Sequence, residues 1–308
     1  MLRVGVIAAA EGALPQWLAL LRERAGHFCT FLENPAPATP LDAAVLLAPA
    51  PVAFPGLRFV QSCWAGVDKL LDSVPPSTPL ARMADPAMAT QMAEAALWAV
   101  LGLQRGFFAH CRARTWRRQA QPSPRAEEVG VLVLGAGLMG GAAARALAAR
   151  GFRVRAWRSA PAAAAEAPQP YPVLAGDAQL REALPAAHIV VNLLPLTPAT
   201  RGLLGAAFFS RLPRGAGIVN LARGAHLVEP DLLAALESGQ VGHAVLDVFA
   251  EEPLPDAHPF WGHAGVTVLP HVAALTDPRT ASALAADNLA RLRDGQPLAM
   301  LVDRARGY

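Results

Sequence analysis

One stretch of sequence dictates the fold, and it reads Val129-Gly130-Val131-Leu132-Val133-Leu134-Gly135-Ala136-Gly137-Leu138-Met139-Gly140. It begins with an apolar run of strand length, continues with glycines in the Gly-x-Gly-x-x-Gly spacing, and leads into an Ala-rich helical pattern over residues 142–150. Strand, loop and helix in this order make the glycine spacing specific. Gly135 permits a tight turn, Gly137 lets the backbone approach a pyrophosphate, and Gly140 lets the helix pack against the strand. The stretch therefore predicts that this helix N-terminus binds the phosphates of a dinucleotide.

Strand-length apolar runs and helical patterns alternate along the rest of the chain. The second half has six strand candidates, at residues 129–134, 152–157, 188–194, 217–221, 243–248 and 266–269. The first half has strands at residues 4–8, 43–47 and 57–62 and a helix at 14–24. A long Ala- and Leu-rich helix from residue 87 to about 105 follows, and we place a domain junction near it. The alternation predicts an α/β fold with two doubly wound parallel-sheet domains. We interpret the Ala-rich residues 160–167 as a surface loop.

Length and composition restrict the classes of protein. The chain has 308 residues, and a single core stops growing near about 250–300 residues, so two domains are expected. No run approaches the ~20 apolar residues of a membrane span, and Glu11 interrupts the apolar start before a signal peptide is complete. Cys29, Cys63 and Cys111 form no Cys-x-x-Cys pair, which predicts free buried thiols in a reducing compartment. We therefore expect a cytoplasmic protein with no membrane partner.

An arginine cluster raises the question of a nucleic-acid partner. It consists of Arg112, Arg114, Arg117, Arg118 and Arg125, in a chain whose formal net charge is +3. A basic patch can bind nucleic acid, but no recognised binding motif accompanies this one. We interpret the cluster as a solvated helix end and loop, and we predict no nucleic-acid partner.

The strand after the glycine loop indicates which dinucleotide is bound. An NAD enzyme carries an acidic residue about 20 residues beyond the loop, where it holds the ribose 2′-OH. Here the chain reads Val154-Arg155-Ala156-Trp157-Arg158-Ser159, without a carboxylate. Arg158 and Ser159 suit a 2′-phosphate, and a charge-assisted hydrogen bond contributes about 1.5–3 kcal/mol. We therefore predict NADP(H), with NAD weaker, and we interpret Arg155 as a surface residue on the opposite face.

Three polar motifs follow the late strand candidates, where ligands bind in open α/β sheets. They supply a guanidinium from Arg223, a carboxylate from Glu252 and an imidazole from His271. Each has an ordinary alternative: a surface charge, a loop carboxylate and a core histidine. The adjacent Glu251 is expected to be solvated. The other histidines lack the company of further ligands, so no metal site is predicted.

Together, and in this order behind the glycine loop, the motifs resemble those of the D-isomer-specific 2-hydroxyacid dehydrogenase family over essentially the whole chain. The resemblance is strongest to its glyoxylate/hydroxypyruvate reductase A branch, through Asn-Leu-Ala-Arg-Gly at 220–224, Leu-Asp-Val-Phe at 246–249, Glu-Pro-Leu-Pro at 252–255, Pro-His-Val-Ala-Ala at 270–274 and the C-terminal residues 302–308. It implies a flavodoxin-like substrate domain (residues 1–97 plus 276–308), a Rossmann cofactor domain (98–275) and a cleft between them.

The resemblance also implies a reaction. A small 2-keto acid would be reduced with NADPH, glyoxylate to glycolate and hydroxypyruvate to D-glycerate. His271 would supply the proton and Glu252 would orient it, while Arg223 would hold the substrate carboxylate and polarise the carbonyl. Backbone N–H groups at Ala65 and Gly66, in the segment Ser62-Cys63-Trp64-Ala65-Gly66-Val67-Asp68, would also face that carboxylate.

The cofactor site and the assembly follow from the same resemblance. The expected cofactor-binding residues are Gly135, Gly137, Leu138, Met139, Gly140, Trp157, Arg158, Ser159, Leu194, Pro195, Thr200, Leu221, Ala222, Asp247, His271 and Ala273. The family is typically homodimeric through the cofactor domain, and Trp116 aligns with a tryptophan that can reach the partner's active site.

Two other functions stay open. The first is another dehydrogenase of the family, of the D-lactate or phosphoglycerate type. The end of the chain at Tyr308 leaves no room for an added regulatory domain, which disfavours the phosphoglycerate type, and Arg158 disfavours the NAD-preferring members. The second is a nucleotide-sensing protein like the corepressors of the family, since a fold alone does not establish chemistry.

Overall fold

The computed structural model describes residues 1–8, 14–116, 118–161 and 167–308. Most of the predicted 160–167 loop, Arg117 and Glu11 therefore lie outside the described residues. Two compact units are present, one formed by Met1–Met88 with Thr276–Tyr308 and the other by Ala89–Leu275. The sequence interpretation drew its boundary at residues 97/98, whereas the structure divides the chain after Met88.

The helices and strands occur in the order β1 (Leu2–Ile7), α1 (Leu14–Ala25), β2 (Cys29–Glu33), β3 (Ala43–Leu46), β4 (Phe59–Ser62), β5 (Leu80–Ala81), α2 (Pro86–Gln104), α3 (Phe107–Arg112), β6 (Gly130–Leu134), α4 (Leu138–Ala149), β7 (Arg153–Arg158), β8 (Val173–Ala175), α5 (Gly176–Ala183), β9 (Ile189–Asn192), α6 (Ala206–Phe209), β10 (Ala216–Asn220), α7 (Glu229–Glu237), β11 (Val241–Leu246), β12 (Val266–Val268) and α8 (Pro278–Arg293).

The first unit contains a parallel sheet with the strand order β2-β1-β3-β4-β5. This is the flavodoxin-like order 2-1-3-4-5, so the predicted fold class of this unit is confirmed. The chain returns to it through α8, where the side chain of Arg24 in α1 donates to Ser282 Oγ (3.2 Å) and to the carbonyl of Arg279 (3.0 Å). The periodicity missed β2 and β5, which are the two edge strands.

The second unit contains a seven-stranded parallel sheet with the order β12-β11-β10-β9-β6-β7-β8. Counted from β6, this is the Rossmann order 3-2-1-4-5-6 with a seventh strand added, which confirms the predicted cofactor-domain fold. The strand order reverses between β6 and β9, so the crevice for a ligand is expected at their carboxyl ends. The sequence predicted six of the strands and missed the short edge strand β8.

The glycine stretch explains how β6 lies at the centre of this unit. Val131 and Val133 pack on one face of the sheet, among buried residues such as Ala96 of α2. Leu132 and Leu134 pack on the other face, in a separate core. A strand covered on both faces needs apolar side chains at every position, and this is why the run does not alternate.

One sequence prediction is wrong. Cys29 and Cys63 are buried free thiols, but Cys111 is exposed. Cys111 belongs to α3, and none of the described residues of that helix is buried. The prediction of buried thiols therefore holds for two of the three cysteines. The helices of the described residues include none long and apolar enough to cross a membrane.

Candidate active site

The glycine loop joins the end of β6 to the start of α4. Gly135 has φ +104°, a conformation that side chains other than glycine rarely adopt, and its N–H donates to the carbonyl of Trp157 (2.8 Å). A Cβ on Gly140 would lie 1.7 Å from the carbonyl oxygen of Gly135. Gly135 therefore makes the turn, and Gly140 allows the first turn of α4 to pack on it.

The space above the loop fits a pyrophosphate. A Cβ built on Gly137 meets no described atom within 4 Å, so this position opens onto free space. Gly137 is also the N-cap of α4, and no side chain among the described residues caps the helix there. The N–H groups of the first turn, at Leu138, Met139 and Gly140, can therefore donate hydrogen bonds to an anion, which the helix dipole also favours.

The end of β7 lies beside this loop. The side chain of Trp157 is 2% exposed and its indole donates to the carbonyl of Gly176 (2.9 Å). Trp157 therefore supports the loop through its carbonyl, while its side chain belongs to the core. Arg158 is half-buried and Ser159 is exposed at the strand end, where a 2′-phosphate was predicted. Arg155 is exposed, as expected.

The loop after β9 packs directly against the glycine loop. The N–H of Leu193 donates to the carbonyl of Leu134 (2.8 Å), and a Cβ on Gly135 would lie 2.6 Å from the carbonyl oxygen of Leu193. Leu194 and Pro195 follow at once. The Thr200 hydroxyl donates to the carbonyl of Pro195 (2.8 Å), so it closes its own loop. Leu194 and Pro195 therefore border the loop, whereas the hydroxyl of Thr200 is a support.

Arg223 and Glu252 belong to neighbouring loops at the carboxyl ends of β10 and β11. Arg223 is half-buried and its Nη1 donates to the carbonyl of Ala222 (2.7 Å). The next residue, Gly224, lies so near the second loop that a Cβ there would be 1.8 Å from the carbonyl carbon of Phe249. The N–H of Phe249 in turn donates to Glu252 Oε1 (3.0 Å). Backbone packing thus ties the Arg223 segment to the segment that holds Glu252.

His271 and Glu252 form a hydrogen-bonded pair. His271 Nδ1 lies 2.9 Å from Glu252 Oε2. The histidine side chain is 52% exposed and the glutamate side chain 28% exposed, so the pair is open to a ligand. Because Nδ1 bonds the Glu252 carboxylate, Nε2 is the ring nitrogen that can bond a substrate. Glu251 is exposed, as predicted.

Asp247 holds the backbone of the segment that begins at His271. Its buried carboxylate accepts the N–H of Val272 (2.8 Å) and of Ala273 (3.1 Å), and its carbonyl accepts the N–H of His271 (2.9 Å). Burial raises the pKa of this carboxyl, and the two N–H donors act in the opposite direction. Asp247 and Ala273 are predicted to bind the cofactor. In the structure the Asp247 carboxylate positions the His271 segment.

Ala65 and Gly66 belong to the first unit, in the segment that follows β4. The hydroxyl of Ser62 accepts the N–H of Trp64 (3.1 Å) and thereby starts a turn. Ala65 and Gly66 come next and are half-buried. No group of three or more potential metal ligands occurs among the described residues.

Sequence reasoning missed three buried polar residues, Asn192, Asn220 and His226, each 0% exposed. Asn192 and Asn220 end adjacent strands, and His226 lies three residues beyond Arg223. Asn220 belongs to the Asn-Leu-Ala-Arg-Gly motif at 220–224, but the motif did not indicate that its side chain is buried. A polar residue at the end of an apolar strand is the signal that could have identified the pair.

Comparison with known proteins finds matches over most of the chain. Residues 96–273 match the family model for the NAD binding domain of D-isomer specific 2-hydroxyacid dehydrogenases. The chain is similar to a glyoxylate/hydroxypyruvate reductase A of Serratia proteamaculans (strain 568), with 39% identity over 304 residues that cover 95% of this chain and 96% of that protein.

Two solved structures cover 100% of this chain and are themselves covered in full. A D-isomer specific 2-hydroxyacid dehydrogenase of Xanthobacter autotrophicus Py2, in complex with NADPH and MES, has a TM-score of 0.90 and 35% identity. An NADPH-dependent glyoxylate/hydroxypyruvate reductase of Sinorhizobium meliloti, in complex with NADP and sulfate, has a TM-score of 0.87 and 33% identity. This chain therefore belongs to the D-isomer specific 2-hydroxyacid dehydrogenase family.

Proposed function

We propose that the protein reduces small 2-keto acids with NADPH, converting glyoxylate to glycolate and hydroxypyruvate to D-glycerate. The observation that carries the proposal is the Glu252–His271 pair, joined through Phe249 to the Arg223 segment in the same unit as the glycine loop. The reductases among the relatives and the NADPH complex of a similar structure support it.

The chain's own groups can hold NADPH, which when bound supplies the hydride. The N–H groups at residues 138–140 and the open side of Gly137 would receive the pyrophosphate. Arg158 and Ser159 would bind the 2′-phosphate, with Leu194 and Pro195 bordering the site. Leu221 and Ala222 are buried beside Arg223 and would line the NADPH site from the loop after β10.

Three side chains then act on the substrate. Arg223 binds the carboxylate with its planar fork and polarises the carbonyl, a geometry that an ammonium does not offer. His271 would donate a proton from Nε2 to the carbonyl oxygen of the substrate. Glu252 bonds Nδ1, which orients the ring. Ala65 and Gly66 remain predicted backbone donors to the carboxylate.

A substrate panel tests the proposal. NADPH oxidation is followed with glyoxylate, hydroxypyruvate, pyruvate and phosphohydroxypyruvate, for the native protein and for His271→Gln. General acid catalysis contributes about 10²–10⁴-fold, so the His271→Gln variant should lose turnover by that factor. His258→Gln is the matched control, because His258 also pairs with a glutamate, Glu229, at 3.2 Å.

The outcomes of the panel separate the alternatives. Undiminished turnover by His271→Gln would remove His271 as the proton donor. Preference for pyruvate or phosphohydroxypyruvate would indicate a dehydrogenase of the D-lactate or phosphoglycerate type. Tight NADPH binding without turnover of any 2-keto acid would indicate a nucleotide sensor.

We further infer a cytoplasmic homodimer that forms through the second unit. Trp116 is 96% exposed, and Trp98 on α2 and Phe107 on α3 are 47% and 49% exposed. An interface would cover these large apolar side chains. Light scattering should give twice the 32.3 kDa chain mass, and Trp116→Ser should weaken the dimer; a monomeric native protein would contradict the inference.

A further inference from the structure

We infer that His226, together with Asn192, is a positioning residue that holds the loop after β9 and the Arg223 segment at a fixed distance from each other. The inference rests on the proposed function, in which the first of these loops borders the NADPH site and Arg223 binds the substrate. His226 is 0% exposed, so it acts through other groups.

The arrangement begins with two asparagines at the ends of adjacent strands. Asn192 and Asn220 are the last residues of β9 and β10 and pair directly in the parallel register. Asn192 Nδ2 donates to Asn220 Oδ1 at 3.0 Å. Both side chains are 0% exposed, and a buried amide is costly unless its polar atoms are bonded. The loops that follow the two strands must therefore supply partners.

Backbone groups of those loops determine which way each amide points. The N–H of Leu194 donates to Asn192 Oδ1 (3.3 Å), which leaves Nδ2 of Asn192 for side-chain acceptors. Asn220 Nδ2 donates to the carbonyl of Arg223 (3.0 Å). Each asparagine thus holds the loop that follows its own strand.

His226 joins the two loops across the sheet. Its Nδ1 lies 2.9 Å from Asn192 Nδ2, and its Nε2 lies 3.2 Å from the carbonyl oxygen of Pro195. An amide nitrogen only donates and a carbonyl oxygen only accepts, so Nδ1 accepts and Nε2–H donates. The partners therefore select the neutral tautomer with its proton on Nε2, and every one of these polar atoms is satisfied.

The bridge is short on both sides. His226 ends a 3-10 turn, Gly224–His226, that begins directly after Arg223. Pro195 lies two residues after Leu193, whose carbonyl oxygen packs against Gly135. A displacement of the imidazole would therefore move Arg223 on one side and the wall of the cofactor loop on the other.

The test replaces His226 by Leu and by Gln. Leu removes both bonds, whereas the amide of Gln can still donate to the Pro195 carbonyl. We expect His226→Leu to raise both the Kd for NADPH, measured by fluorescence titration, and the KM for glyoxylate about tenfold or more, with a smaller change in kcat. His226→Gln should raise both constants less, about threefold to tenfold, because one bond is rescued.

The control is His243→Gln, a half-buried histidine of the same unit that bonds Thr267 Oγ1 (2.8 Å) on β12. It should lower the melting temperature without moving the Kd or the KM by more than about twofold. If His226→Leu does not fold, the inference is tested by comparing the Kd and the KM of His226→Gln with those of His243→Gln. A His226→Gln variant whose Kd and KM both stay within twofold of the native values would overturn the inference, since a merely structural role changes only the melting temperature.

The two proposals fail in different ways. The Kd for NADPH needs no turnover, so the cofactor side of the bridge can be measured even if the native protein reduces no 2-keto acid. In that case the proposed reaction would be refuted, while a raised Kd in the His226 variants would still support the bridge.

Discussion

Substitution of Gly137 by Ala should separate cofactor binding from stability. The backbone at Gly137 has φ −80° and ψ −160°, which is extended and open to any residue. A Cβ there meets no described atom within 4 Å. A surface change of this kind alters the free energy of unfolding by about 0.5 kcal/mol or less. The melting temperature of Gly137→Ala without NADPH should therefore equal that of the native protein.

The same methyl group would stand where the pyrophosphate is proposed to bind. Forcing an extra methyl group into a packed contact costs about 1–3 kcal/mol. This corresponds to a loss of NADPH affinity of about fivefold to 150-fold. At an NADPH concentration of 100 times the native Kd, the native protein gains about 2.7 kcal/mol, whereas a variant with a hundredfold higher Kd gains only about 0.4 kcal/mol.

Thermal melts with and without NADPH, together with a fluorescence titration, measure both quantities. Gly140→Ala is the matched control, because its Cβ would lie 1.7 Å from the carbonyl oxygen of Gly135 and should lower the melting temperature even without NADPH. A folded Gly137→Ala variant whose Kd stays within threefold of the native value would refute the reasoning, since the phosphates would then bind elsewhere.

Three further predictions follow from single side chains. Arg158→Asp should shift the NADPH to NADH ratio of kcat/KM by about 10- to 100-fold toward NADH, and an unchanged ratio would remove Arg158 from the 2′-phosphate site. Asp247→Asn should lower kcat about tenfold, because one of the two N–H bonds beside His271 is lost; an unchanged kcat would contradict this. Burial, and then the nearby charge of Arg112, lower the pKa of His243 from 6.5 to about 4. Between these values the unfolded chain takes up a proton that the folded chain does not, so stability should fall by about 1–2 kcal/mol after solvent screening. Urea melts at pH 7 and pH 4 should show this loss in the native protein and not in His243→Leu, and equal losses would exclude His243 as the cause.

Local patterns were enough to predict the central elements. The run before Gly135 is apolar at every position because β6 is covered on both faces, and a strand of this kind is visible without any knowledge of its neighbours. Three of the four edge strands, β2, β5 and β8, were missed, and the last two for a related reason. β5 has two residues and the three residues of β8 are all partly exposed, so neither leaves a strong apolar signal.

The motifs predicted the position of the backbone more accurately than the direction of the side chains. The strand end at Trp157 was correctly placed beside the glycine loop, but its indole lies in the core. Cofactor binding by Thr200 and Asp247 stays a prediction, and the side chains of both bond to backbone groups of nearby loops. A motif specifies which segment approaches a ligand, whereas the direction of each side chain depends on the groups that pack around it.

The loops that are proposed to carry the chemistry could be located in the sequence, because each directly follows an apolar strand and parallel strands end at one edge of the sheet. The contacts between those loops were not readable. Asn192 is separated from Asn220 by 28 positions and from His226 by 34. The position of each asparagine at the end of an apolar strand is visible in the sequence, but its contact with the other two residues is not. They meet because β9 pairs with β10, and that pairing depends on the order of all seven strands. Contacts between residues this far apart follow from packing of the whole sheet, which no local periodicity encodes.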